Sequence, residues 1–293
     1  MKENKILDSC MSCSSGDSRI PRRLFNFSIF LTSLLFPIRS ISSKYKDIIE
    51  QVVSIETDDG ICDAVLFYPK EGKFPPALIW TDIRGLRQSF KFMGKRLASQ
   101  GYVVLIPNPF YRSSPAPAPR EGFNYFDLEQ RKKVFSMMKL LIAKGAAERD
   151  TSSFVKFLKN HASVDNSKKM GVSGYCMGGP LAFRSASHFP NFISAVGSFH
   201  AGGLVTKDED SPHILIKKSK SRFYVAIASD DDQKNPNEKD QLRKSFNEAS
   251  LEAEIKVYDK MRHGWCVSDS SVYNDAKAEA AWRDLVDMYN DVL

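Results

Sequence analysis

The segment Gly174-Tyr175-Cys176-Met177-Gly178 places a sulfur atom between two glycines, in the pattern G-x-nucleophile-x-G. Glycines at those positions suit a tight strand-to-helix turn that has no room for neighbouring side chains. Such a turn lifts the central side chain above the end of a sheet. It also sets that side chain at a helix N-terminus, where backbone N–H groups favour a thiolate and an oxyanion. The implied chemistry is acyl transfer with sulfur as the attacking atom. Ser173 fails the same frame, because the pattern would need glycine where bulky Tyr175 stands. A buried structural cysteine beside a glycine-rich turn fits these five residues equally well, so the surrounding residues must decide.

A nucleophilic thiol needs a base, and the base needs a group to orient it. In hydrolases built on this turn the chain order is nucleophile, acid, histidine. Cys176, the acidic run Asp230-Asp231-Asp232 and His263 follow that order. A run of three acids is ordinarily a solvated turn. The acid should begin the loop that leaves the preceding strand, so spacing alone leaves Asp230 and Asp231 open. His200 is the competing base, but it precedes the acid, and a place lining or supporting the pocket suits it better. The oxyanion requires two backbone donors, expected from Met177, the residue after the nucleophile, and from Ile83 in an earlier loop. No His–His or Cys–Cys pair within residues 45–293 has zinc-ligand spacing, and the expectation is a site without metal or cofactor.

The elements that must carry these residues are legible as an alternation of β-rich and helical stretches. Gln51–Thr57 and Ala64–Tyr68 read as an antiparallel pair around Asp58-Asp59-Gly60. Strands are expected at Pro76–Thr81, Tyr102–Ile106, Lys169–Gly174, Phe192–Phe199, Arg222–Ser229 and Glu254–Tyr258. Helices are expected at Phe90–Gln100, Phe126–Lys144, Ala147–His161, Gly178–His188, Glu238–Glu252 and Tyr273–Asn290. The proline-rich stretch Pro107–Arg120 reads as a long loop. This order predicts an α/β class with a mainly parallel central sheet and helices on both faces. Sites in such sheets form beyond the carboxyl ends of the strands. That rule collects Asp82, Ile83, Tyr111, Arg112, Cys176, His200, the 230–232 acids and His263 at one edge.

Composition agrees with one globular domain: of 293 residues, 42% are hydrophobic and 26% charged. The net charge of +7 is concentrated at the N-terminus, where residues 1–44 carry seven Lys/Arg against three Asp/Glu. The remainder intersperses its charges, which argues against a nucleic-acid footprint. Pro21-Arg22-Arg23-Leu24-Phe25 opens an apolar run to Ile38, interrupted by Asn26, Ser28, Thr32, Ser33 and Pro37. The run falls short of the ~20 apolar residues of a bilayer-spanning helix. With small residues at Ser40-Ile41-Ser42, it predicts a signal-like segment over 1–44, of the twin-arginine type, followed by a catalytic domain over 45–293. The expected location is therefore outside the cytoplasm, periplasmic in a bacterium; an N-terminal tail on a cytoplasmic protein is the alternative. Cys10 and Cys13 lie in that segment, which leaves Cys62, Cys176 and Cys266, an odd number that speaks against a disulfide framework.

From about Ile55 to the C-terminus the chain resembles the dienelactone hydrolase family, a cysteine-nucleophile branch of the α/β-hydrolases. The likeness rests on Thr81-Asp82-Ile83-Arg84-Gly85, Pro107-Asn108-Pro109-Phe110-Tyr111-Arg112, the cysteine elbow, Ala228-Ser229-Asp230-Asp231 and His263-Gly264-Trp265. The resemblance implies an α/β-hydrolase fold and hydrolysis of small ester or lactone substrates through an acyl-thioenzyme. Its small-x-x-Asp pattern selects Asp231 as the acid. It pairs an acid in the Asp82 slot with the resting thiol, and it gives Arg112 to a substrate carboxylate. Tyr111 and Trp265 join Asp82, Arg112 and His200 as expected substrate contacts; the alternatives are a local acid or solvent for Arg112, pocket wall or core for Trp265, and packing of the proline-rich loop for Tyr111. A second carboxylate-binding arginine is implied four residues after the histidine, where this chain has Val267, so the dienelactone itself is not implied. A catalytically silent binding protein and a thioesterase or acyltransferase on the same triad are the alternatives.

Overall fold

The structure, a computed structural model, describes residues 44–293. Eight strands form one sheet: β1 (Ile48–Thr57), β2 (Gly60–Pro69), β3 (Pro76–Trp80), β4 (Val103–Pro107), β5 (Met170–Tyr175), β6 (Ile193–Phe199), β7 (Arg222–Ala228) and β8 (Ala253–Tyr258). Their spatial order is β1-β2-β4-β3-β5-β6-β7-β8. The β1–β2 hairpin is antiparallel and β2 runs antiparallel to β4, whereas β3 to β8 are mutually parallel. This is the expected α/β-hydrolase arrangement, and every crossover returns the chain so that six strands end at the same edge.

The central strands are continuous apolar runs because both faces are covered. Pro76-Ala77-Leu78-Ile79-Trp80 and Val103-Val104-Leu105-Ile106-Pro107 are buried at every residue. One face packs under helices α1 (Gln88–Ala98) and α8 (Asp275–Val292), with Phe90, Leu97, Trp282, Leu285 and Tyr289 in its core. The other face packs under α2 (Leu128–Leu141), α3 (Ala146–Asn160), α4 (Gly178–His188) and α7 (Glu238–Glu248), through Met138, Phe154, Leu158, Phe183 and Phe246. Each such side chain contributes about 1.5–3 kcal/mol on burial.

Two helices lie where loops were expected. Pro212–Leu215 (α5) continues into a 3-10 turn at Ile216–Lys218, and the acidic run forms α6 (Ser229–Lys234). Asp230, Asp231 and Asp232 all fall in the first turn of α6, where carboxylates meet the positive end of the helix dipole. Other differences are at element ends. The helix expected over Phe126–Lys144 starts only at Leu128, where Asp127 caps it by accepting from the N–H groups of Glu129 and Gln130. The helix expected to reach Glu252 ends at Glu248. The expected targeting segment, apart from Lys44, lies outside the described residues, as do Cys10 and Cys13. No helix among the described residues is long and apolar enough to cross a membrane.

Candidate active site

β5 delivers the chain into the turn at Cys176, whose φ of 54° lies in the left-handed region, a conformation costly for a residue with a side chain. Both flanking glycines are required by close approach. A Cβ at Gly174 would overlap the carbonyl oxygen of Gly178, and one at Gly178 would overlap the carbonyl of Trp80 at the end of β3. The Cys176 N–H donates to Phe199 O (3.0 Å) and Gly179 N–H to Cys176 O (3.1 Å). The sulfur therefore stands on a backbone fixed from both sides. Ser173 lies within the strand, buried and in register with Ile79 of β3.

His263 reaches this sulfur from the loop after β8. Its Nε2 lies 3.1 Å from Cys176 Sγ, and its Nδ1 lies 2.8 Å from Asp231 Oδ2. The aspartates of the acidic run, of which spacing left Asp230 and Asp231 open, are engaged differently. Asp231 holds the ring, and Asp230 Oδ1 accepts from the backbone N–H of His263 at 2.9 Å. Asp232 pairs with Lys239 at 2.7 Å. Burial alone would push the His263 pKa down, but the negative Cys176 sulfur and the Asp231 carboxylate outweigh it and hold the ring well above its ordinary value. The arrangement favours a thiolate beside an imidazolium.

His200 lies behind that ring. It has a φ of 39° and is buried, with neither ring nitrogen bonded to a partner among the described residues. Burial, reinforced by the positive charge of His263, drives its pKa well below the usual value. It therefore supports His263 as a neutral ring; Nε2 of His263 itself faces the thiol.

Ile83 sits in the turn after β3, and Met177 is the N-cap of α4. Neither backbone N–H meets an acceptor among the described residues.

The expected substrate contacts fare differently. Trp265 is buried in the core rather than lining a pocket: it is 0% solvent-accessible and packs 4.4 Å from the Tyr258 ring under α8. Gly264, with a φ of 97°, turns the chain between His263 and this inward tryptophan. Val267 is buried in the same core. Arg112 is engaged by the protein's own acids, donating to Asp150 at 2.7 and 2.8 Å and to Asp59 at 2.6 Å. Tyr111 donates to Asp150 at 2.7 Å and stacks beneath that guanidinium. Both residues thus tie the β1–β2 turn to α3, since Asp150 is itself 1% exposed and needs its charge met. Asp82 commits both oxygens to Arg87 (2.7 and 2.9 Å) and accepts the Arg84 N–H at 2.8 Å.

Sequence reasoning missed Arg87 and Asp269. Arg87 Nε lies 2.8 Å from Asp269 Oδ2, a contact spanning 182 positions for which no local spacing gives a signal.

The profile of the dienelactone hydrolase family matches residues 62–293. The chain belongs to the dienelactone hydrolase family. It is 25% identical over 219 residues to a carboxymethylenebutenolidase of Rhodococcus opacus, covering 74% of this chain and 81% of that protein. It is 26% identical over 218 residues to protein usf of Aquifex pyrophilus, covering 73% of this chain and 85% of the relative. Among solved structures, a dienelactone hydrolase from Anabaena variabilis superposes with a TM-score of 0.59 at 14% identity, covering 85% of this chain and all of that one. A dienelactone hydrolase-like promiscuous phosphotriesterase from metagenomic libraries gives 0.67 at 16% identity, covering 84% and 99%. These superpositions show the shared fold. Family membership makes the protein a hydrolase of the ester and lactone class.

Proposed function

We propose that the protein hydrolyses small esters or lactones through a Cys176–His263–Asp231 triad and an acyl-thioenzyme. The observation that carries this reading is the unbroken chain from Cys176 Sγ through both nitrogens of His263 to Asp231 Oδ2, at 3.1 and 2.8 Å.

The Cys176 thiolate adds to the carbonyl carbon, and the carbonyl π electrons move to oxygen, where the N–H groups of Ile83 and Met177 receive the charge. As the intermediate collapses, the C–O bond to the leaving group breaks and the His263 imidazolium protonates the departing oxygen. A thioester on Cys176 and a neutral His263 remain. His263 then takes one proton from water while its oxygen adds to the thioester. Collapse expels the thiolate and releases the acid, restoring the ion pair. Asp231 holds Nδ1–H throughout, keeping Nε2 directed at sulfur and offsetting the imidazolium charge.

Cys176→Ala, assayed on a panel of activated esters and small lactones, tests the assignment. Loss of turnover by about 10³-fold or more is expected; turnover close to the parent enzyme's would refute it. Residues 1–44 are proposed to direct export, on their paired arginines, short apolar run and small residues. Fractionation that finds the segment still attached to cytoplasmic protein would count against this.

A further inference from the structure

Arg87 lies just before α1 and uses all five guanidinium N–H groups. Nη1 donates to Asp82 Oδ1 (2.7 Å) and Gly85 O (3.2 Å), Nη2 to Asp82 Oδ2 and Asp269 Oδ1 (both 2.9 Å), and Nε to Asp269 Oδ2 (2.8 Å). Five donors in a fixed planar fork leave one orientation that satisfies both carboxylates. The acceptors are not scattered. Asp82 and Gly85 flank Ile83 in the turn after β3, and Asp269 lies in the loop that carries His263. Arg84 adds a second link to the same loop, with Nη1 3.0 Å from Asp269 Oδ2. The Arg87 and Asp82 side chains are only 13% and 12% exposed, so solvent does little to loosen the lock.

We propose that Arg87 is a positioning residue: by bridging Asp82 and Asp269 it fixes the Ile83 N–H relative to His263 and the elbow. The inference rests on the reading of Ile83 as an oxyanion donor. Arg87 touches neither the sulfur nor the His263 ring in this role. It acts on the step in which charge develops on the carbonyl oxygen, and it leaves the resting Cys176–His263 pair alone. A displaced donor is felt in the transition state more than in the ground state, so the loss belongs in kcat.

The test uses Arg87→Met, Arg87→Lys and Asp269→Asn in the otherwise intact protein. Two readouts are taken: kcat and KM on an activated ester, and the rate of Cys176 alkylation by neutral iodoacetamide across pH. Expected is a fall in kcat of about 10- to 100-fold in both Arg87 variants, below the full loss of one oxyanion donor, with KM and the alkylation profile within about threefold. Lysine should not rescue, since one ammonium does not span two carboxylates in this geometry. If Arg87→Met does not fold, Asp269→Asn decides, because it leaves Arg87 on Asp82 while removing one of its two acceptors on the histidine loop; a smaller loss in kcat alone is expected. Unchanged kcat, restoration by lysine, or an alkylation rate that falls in step with kcat overturns the proposal. Those outcomes leave the nucleophile assignment standing if Cys176→Ala abolishes turnover, so the two failures are distinguishable.

Discussion

His200 lies edge-on against His263, with ring centroids 5.0 Å apart and planes at 70°. The sulfur and carboxylate on either side of one ring hold its pKa well above the ordinary value; burial and the charged neighbour drive the other's well below it. Two histidines in contact are thus driven in opposite directions, and only the one with partners for both nitrogens is suited to carry the proton.

The neutral ring gives an acid-stability prediction. The His200 pKa is depressed in the folded state, so below the unfolded value of about 6.5 the unfolded chain binds a proton that the native ring refuses. Its contribution to stability is therefore lost as pH falls below about 6.5, at up to about 1.4 kcal/mol per pH unit. His200→Phe should flatten the acid limb of a urea-unfolding series between pH 7.5 and 5. Parallel curves for the two proteins would contradict this.

The charged ring gives the opposite sign. His263 is raised, so the stability of its imidazolium is fully present below about pH 6.5 and is lost as pH rises through the folded value. Removing the sulfur charge with Cys176→Ala should lower the His263 pKa, with Asp231 still pulling it upward. NMR titration of the ring nitrogens checks both statements; an unchanged midpoint in the variant would count against the ion pair.

Asp231 and Asp230 should separate cleanly. Asp231→Asn removes the charge behind the ring and allows the wrong tautomer, with an expected loss in kcat of about 10⁴-fold. Asp230→Ala releases the backbone N–H of His263 and a 3.5 Å contact with Lys234, which should lower activity far less and cost about 1 kcal/mol of stability. Steady-state kinetics and thermal melts of the two variants decide the order.

Arg112→Met should weaken the fold by about 3–5 kcal/mol, because the buried Asp150 carboxylate loses the Arg112 cation and keeps the Tyr111 hydroxyl. Its effect on turnover should not depend on whether the ester carries a carboxylate. A selective loss of carboxylate-bearing substrates would restore the binding role that the residue's position had suggested.

The alternation of apolar runs and helical stretches was enough to anticipate the sheet, because strands covered on both faces are written as unbroken hydrophobic segments. The elbow was legible for a steric reason, its two glycines being required by backbone contacts within a few residues of each other and with β3. What was not legible depended on distant partners. Trp265 follows the histidine by two residues, yet the turn at Gly264 sends it into the core. Arg112 occupies the right loop, but Asp150 on α3 claims its guanidinium. Spacing left Asp230 and Asp231 open, and only α6 and the His263 loop show Asp231 on the ring, Asp230 on the backbone N–H and Asp232 on Lys239.

The central claim is that Cys176 carries the acyl group. Mixing the enzyme with a slowly deacylated activated ester, quenching in acid and fragmenting the tryptic peptide Met170–Arg184 tests it directly, since that peptide contains both Ser173 and Cys176. An acyl mass is expected on Cys176, removed by neutral hydroxylamine and absent from Cys176→Ala. An acyl group on Ser173, or turnover with no acyl group on this peptide at any time, would contradict it.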